Sequence, residues 1–406
     1  MGSNQNKGVN KLLLLSTILL ILFGIVVVYT ASSPTALRKY GDSEFYLKSH
    51  CIKVVIAFIV MFIASRVDYS IWKKFARPIF VVASLLTFYT IVAGAAEKGA
   101  SRWAFGIQPS EILKFGLILM IATKLSDAGT EIKTFKCSIV QPGVFLLISG
   151  VLLALQPNFS MLAMFVGIFT VMLIVADANT KYMLQTYGGV AGAGALVVGL
   201  HELWKKLTDD TSRSIYEHVK DRIDAFMNPE QSAKAMEKAF QSKQSLEALG
   251  NGGFLGTGVG NSAHKLGFLP EAHKDVVYSV VGEEFGFVGT CAVLVAFGII
   301  FYQGFEIARN SSTRFGKYLA VALTISLFFN FAVHVCVSTG LIPTTGQPLP
   351  FLSYGGSNLI MSGLFIGVLL NISKAGTGKQ IVEPFMGGTK ANTFTFSGFD
   401  ITRAET

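Results

Sequence analysis

Leu12-Leu13-Leu14-Leu15-Ser16-Thr17-Ile18-Leu19-Leu20-Ile21-Leu22-Phe23-Gly24-Ile25-Val26-Val27-Val28-Tyr29-Thr30 carries no charged side chain. About 20 such residues, wound as a helix, cross the roughly 30 Å of hydrocarbon in a bilayer. The basic residues Lys7 and Lys11 precede the run, as in a cleaved secretory signal. The small residues Ala31-Ser32-Ser33 follow only after the whole run, which exceeds a signal's apolar core of roughly 7–15 residues. The run therefore reads as a retained first membrane helix. Further apolar runs lie near 52–66, 78–95, 110–125, 139–155, 159–177, 184–203, 276–307, 318–341 and 356–372. That makes about ten spans by the hydropathy criterion. The eighth is long enough to tilt or to begin before the membrane.

Composition agrees. Of 406 residues, 51% are apolar and 15% are charged, against about 25% charged in a soluble domain. The runs do not alternate apolar and polar residues as barrel strands do. The expected fold is an all-α polytopic membrane protein, with a long external loop between helices seven and eight. Residues 1–374 form one transmembrane domain, with the loop at 204–275 and a cytoplasmic tail at 375–406 that is expected to be disordered. Cys51, Cys137, Cys291 and Cys336 fall in or beside different runs. No CxxC occurs, so they read as buried thiols rather than a disulfide framework or a zinc site.

Basic residues follow the even-numbered runs: Arg66, Lys73, Lys74 and Arg77; Lys124, Lys133 and Lys136; Lys181; Arg309, Arg314 and Lys317. The positive-inside rule then places both termini in the cytoplasm and the 204–275 loop outside. The net charge of +9 follows from this asymmetry and does not imply nucleic-acid binding.

The long loop predicts an amphipathic helix after Asn228-Pro229, with Ala233, Met236 and Phe240 at helical spacing. Gly250-Asn251-Gly252-Gly253-Phe254-Leu255-Gly256-Thr257-Gly258-Val259-Gly260 follows. No Gly-Lys-Ser/Thr accompanies it, so it is not a nucleotide loop. It reads either as a flexible linker or as backbone able to approach a phosphate or sugar closely.

Asp275 stands where water ends and the eighth run begins. A carboxylate held partly out of water suits a general base on a sugar hydroxyl. The alternative is that Asp275 caps the N-terminus of helix eight. His264 and His273 are near each other, but their spacing is not diagnostic of a metal. Of Glu283 and Glu284, roughly 12 Å further along a helix, at least one must face protein or a water-filled cavity. Glu111 and Lys114 are three apart on the fourth helix and can pair, fixing its packing. In the other reading Lys114 or Arg102 neutralises a pyrophosphate. Pro343, Pro348 and Pro350 exclude a regular helix after the ninth run. Ser353 and Ser357 there either bind a ligand or cap helix ten, with capping favoured for Ser357.

These stretches together resemble the SEDS family (shape, elongation, division and sporulation) of peptidoglycan polymerases. The matching residues are Val28-Tyr29-Thr30-Ala31-Ser32-Ser33, Arg102-Trp103, Gln108-Pro109-Ser110-Glu111, Gln156-Pro157, Gln244-Ser245-Leu246, Leu269-Pro270-Glu271 with Asp275, Gly282-Glu283-Glu284, and Leu349-Pro350-Phe351 with Ser353-Tyr354-Gly355-Gly356-Ser357. Gly258-Val259-Gly260-Asn261-Ser262-Ala263-His264-Lys265 is closer to FtsW-like members. Thr345 and Gln347-Pro348-Leu349-Pro350 are closer to RodA-like ones.

The resemblance implies glycosyl transfer from lipid II, with Asp275 as the essential aspartate. The substrate-binding candidates are Arg102, Glu111, Lys114, Lys265, His273 and Ser353. A divalent cation, Mg or Mn, and a class B penicillin-binding protein partner are implied too. Asn158 replaces the family's usual aspartate, so no acidic role carries over. Lys274 stands where threonine is usual before Asp275; it either lowers that carboxylate's proton affinity or points into water. The rival readings are a RodA-like polymerase of cell elongation, a lipid II flippase and a non-catalytic division scaffold.

Overall fold

The computed structural model describes residues 10–96, 103, 106–156, 158–190, 233–262 and 272–376. Among them no β-strand occurs. The helices are α1 (Lys11–Tyr40), α2 (Phe45–Arg66), α3 (Tyr69–Ala96), α4 (Pro109–Ala128), α5 (Gln141–Leu155), α6 (Phe159–Val175), α7 (helical over 180–190), α8 (Ala233–Asn251), α9 (Val277–Arg309), α10 (Arg314–Ser338) and α11 (Gly356–Gly376). Each expected apolar run coincides with a helix; of the seventh run, only 184–190 lies within the described residues. Among the described residues, seven segments are long and apolar enough to cross a membrane, and Phe159–Val175 is a shorter apolar helix. The protein is a multi-pass membrane protein.

Helix α1 shows why these sequences lack an amphipathic pattern. Leu13, Leu20, Ile21, Val27 and Val28 are buried in the bundle, while Leu12, Leu15, Leu19 and Leu22 are exposed. In a bilayer the exposed face meets acyl chains, so both faces are apolar. Asn10 caps the start, its side chain accepting from Leu13 N–H at 3.0 Å. Helix α4 is the opposite case. It packs against α3, α5, α6, α10 and α11, and every residue from Leu113 to Ala122 is buried. Enclosed by protein, it carries Glu111 and Lys114 where a lipid-facing helix could not.

Helices α2 and α11 approach each other closely. A Cβ on Gly363 would lie 2.8 Å from the Ala57 carbonyl oxygen, and one on Gly367 2.4 Å from that of Met61. Two glycines four apart let the backbones meet, as small residues do between membrane helices. At the opposite end from Asp275, Tyr69 N–H donates to Asn371 Oδ1 at 2.9 Å, and the Tyr69 and Thr313 hydroxyls lie 3.0 Å apart. Lys73 pairs with Asp127 there at 2.7 Å. The loops after the second, fourth and eighth runs thus share one end, as alternating spans require.

The eighth span is broken as well as long. Gly286 has φ 66° and ψ −163°, a region essentially restricted to glycine. The break frees backbone groups that hydrocarbon cannot satisfy. The glycine-rich stretch satisfies them. Phe287 N–H donates to the Gly253 carbonyl at 2.9 Å and Val288 N–H to that of Phe254 at 3.2 Å. In return, the Glu283 carbonyl accepts from Thr257 N–H at 2.9 Å, and that of Glu284 from Gly258 N–H at 3.1 Å. A Cβ on Gly256 would lie 2.2 Å from the Glu284 oxygen. The stretch is therefore neither a loose linker nor a free cradle for substrate; it is docked backbone on α9. It lies roughly 13 Å along that helix from Val277. Helix α8 leads down to it, held by Ser245 Oγ, which is 2.5 Å from Ser279 Oγ and donates to the Ser338 carbonyl at 2.9 Å. Its packed face is Ser245 and Ala248, while Phe240 is exposed.

Candidate active site

Asp275 ends a single helical turn, Ala272–Asp275, just before α9. Val276 breaks the helix with φ −137° and ψ 31° and takes the N-cap position of α9, with no side-chain cap. Val276, not Asp275, therefore holds the N-cap position of α9. Its carboxylate is half-buried. Oδ2 faces the loop after α10, 3.9 Å from where a Gly346 Cβ would be.

His334, fully buried on α10, joins that loop to α9. Its Nδ1 is 2.9 Å from the Gln347 carbonyl oxygen, and Tyr278 N–H donates to Nε2 at 3.4 Å. A carbonyl only accepts and an amide N–H only donates, so the ring is neutral with its proton on Nδ1.

On the other side, the His273 ring lies 4.6 Å from Tyr46 and 5.5 Å from Tyr354, centroid to centroid. The His273 carbonyl accepts from Tyr354 N–H at 2.8 Å. Lys53 Nζ sits 4.0 Å above the Tyr354 ring. Aromatic packing and a backbone bond thus bring a cation on α2 close to the turn that carries Asp275.

Ser353 is buried, and its Oγ accepts from Leu349 N–H at 2.9 Å. It shapes the proline-rich loop. Ser357 does not cap α11 as expected: its Oγ accepts from Gln108 N–H at 2.9 Å. That bond ties the start of α11 to the N-cap residue of α4. Glu111 and Lys114 form an ion pair at 2.8 Å with side chains 2% and 1% exposed. Glu283 and Glu284 are both buried, and the Glu283 carboxylate accepts from the Ser262 hydroxyl. The acidic pair therefore faces protein, apart from Asp275. Asn158, also buried, holds the N-cap position of α6 without a side-chain bond to that helix. Arg102, His264 and Lys265 lie outside the described residues, as does Leu269-Pro270-Glu271.

Among the described residues, no group of three or more His, Cys, Asp or Glu side chains gathers as a metal cage. Mg²⁺ commonly binds through one or two carboxylates together with substrate phosphates. Such a cation would be held mainly by the substrate's pyrophosphate. Lys53 and His334 were not singled out from the sequence. Both are polar residues inside apolar runs, which is the signal that marks function within membranes.

The chain matches the cell cycle protein family that groups FtsW, RodA and SpoVE, over residues 10–377. It is 36% identical to the probable peptidoglycan glycosyltransferase FtsW of Geobacter sp. (strain M18), covering 90% of this chain and 97% of that one. It is 32% identical to the stage V sporulation protein E of Bacillus subtilis (strain 168), covering 89% and 96%. Among solved structures, it is similar to a chain of a peptidoglycan synthase complex, with a TM-score of 0.69, 20% identity, and coverage of 91% and 99%. It is also similar to the rod shape determining protein RodA of Thermus thermophilus, with a TM-score of 0.60, 21% identity, and coverage of 89% and 95%. The match spans the helices that frame Asp275 as well as the loop facing it, and the chain belongs to the FtsW/RodA/SpoVE family of cell cycle proteins.

Proposed function

We propose that this chain is a peptidoglycan glycosyltransferase that polymerises lipid II during cell division, at the outer face of the cytoplasmic membrane. Both termini then lie in the cytoplasm. The observation that carries the reading is Asp275: a half-buried aspartate just before α9 whose carboxylate faces a proline-rich loop. Membership of the family and the likeness to relatives named as peptidoglycan glycosyltransferases support it.

In this reading Asp275 takes the proton from the 4-hydroxyl of the acceptor's GlcNAc. The hydroxyl oxygen attacks the anomeric carbon of the growing glycan and inverts it. The bond to the polyprenyl pyrophosphate breaks, and the leaving group carries the negative charge away. Positive groups near the departing oxygens lower the barrier; Lys53 and Arg102 are the candidates. A divalent cation, Mg or Mn, would bind at the pyrophosphate and supply further charge neutralisation there. A class B penicillin-binding protein that crosslinks the product is the expected partner.

The test is lipid II polymerisation by purified protein with that partner, read as glycan length on gels. Asp275→Asn keeps the size of the side chain but cannot accept the proton. At matched thermal stability, synthesis should fall by about 10² or more. A wild-type rate would overturn the mechanism and leave a scaffold or flippase role.

A further inference from the structure

We propose that His334 is a positioning residue for Asp275: one buried imidazole holds the loop that faces the carboxylate and the helix that follows it. The inference rests on Asp275 as the base and adds the group that keeps it in place.

Pro343, Pro348 and Pro350 donate no backbone hydrogen bond. Gly346, which faces Asp275 Oδ2, sits at φ +70°, where glycine's freedom is greatest. On the other side, α9 starts at a valine that offers no side-chain cap, so the amides of its first turn need partners from elsewhere. His334 serves both segments. Nδ1–H holds the carbonyl of Gln347, the residue after Gly346, and Nε2 receives the N–H of Tyr278, three residues after Asp275. The two contacts bridge 13 and 56 residues of sequence. His334 is 0% exposed, so water does not compete for either bond. Loss of the loop contact frees Gly346 to move relative to Asp275. A displacement of about 1 Å in a reacting group can cost about 10²-fold in rate.

Two substitutions separate the halves of the bridge. His334→Asn puts an amide N–H where Nδ1–H stands and nothing where Nε2 stands, so the loop contact survives alone. His334→Gln reaches the position of Nε2 with an acceptor and leaves the Gln347 carbonyl without its donor. Each loses one buried hydrogen bond, so the two should melt alike. The assay is steady-state lipid II polymerisation by full-length protein with its partner, giving kcat and KM separately.

For His334→Asn we expect kcat within about threefold of wild type. For His334→Gln and His334→Ala we expect a loss of about tenfold or more, with KM little changed. A merely structural role would lower activity in both variants in proportion to the folded fraction. Wild-type kcat in His334→Gln, or equal losses in His334→Asn and His334→Gln, would overturn the proposal. Asp275→Asn is measured beside them. If it is inactive while His334→Gln is normal, only the positioning role falls; if it runs at the wild-type rate, the base assignment fails and the positioning role falls with it.

Discussion

Removing one partner of the Glu111–Lys114 pair should destabilise the protein far more than removing both. The pair lies on α4, the helix enclosed by five others, at 2.8 Å and with side chains at most 2% exposed. Lys114→Met leaves a carboxylate without its counter-ion in that interior, and Glu111→Gln leaves an ammonium. Breaking a buried pair on one side typically costs about 3–5 kcal/mol. At 1.4 kcal/mol per factor of ten, the folded population relative to unfolded falls by about 10²–10⁴. The double variant buries no unpaired charge and should recover most of this loss, because replacing a whole buried pair is often neutral. The coupling in the double-mutant cycle is then about 5 kcal/mol or more, above the roughly 0.5–3 kcal/mol usual for residues in contact.

The assay is thermal unfolding in detergent of the four proteins, run beside lipid II polymerisation. Singles that melt like wild type, or losses that add in the double variant, would refute the packing role. Lys114→Met with a normal melt and lost polymerisation would place Lys114 at the substrate instead.

Gly286→Ala should lower thermal stability by about 3 kcal/mol or more, because the Gly286 dihedrals exclude a side chain and its Cβ would lie 2.3 Å from Gly256 N; a melt unchanged from wild type would show that the kink is dispensable. Lys53→Met keeps the stem packed on Gly356 and removes the charge. It should raise KM for the lipid-linked substrate by about tenfold with a loss of stability of about 1 kcal/mol. An unchanged KM would confine Lys53 to its contact with Tyr354.

The membrane helices were legible because hydrocarbon makes their rule local. A segment in lipid must satisfy its own backbone, so length and apolarity alone locate it. Helix α4 shows the limit of that rule. Its run was found, yet the reason it tolerates Glu111 and Lys114 is the ring of five helices around it, which no window of sequence contains. The i,i+3 spacing pointed to their ion pair; burial supplies its energetic weight.

The glycine-rich stretch and Asp275 divide the same way. From sequence, Gly250 to Gly260 could be a linker or a ligand cradle, because glycine is permissive in either setting. Only the break at Gly286 shows what the glycines meet: the exposed backbone of α9, whose bonds they complete. Asp275 stood out as a carboxylate at a membrane boundary, but sequence left base and helix cap as equal alternatives. In the structure Val276 takes the N-cap position and the helix starts at Val277. The groups that frame the Asp275 segment come from far along the chain: Gly346 from the loop after α10, His334 from α10, and Lys53 from α2 through Tyr354. Which segments form apolar helices is a property of each segment alone, and the sequence determined it. Which side chains meet at Asp275 depends on helix packing between distant segments, and only the tertiary structure decided it.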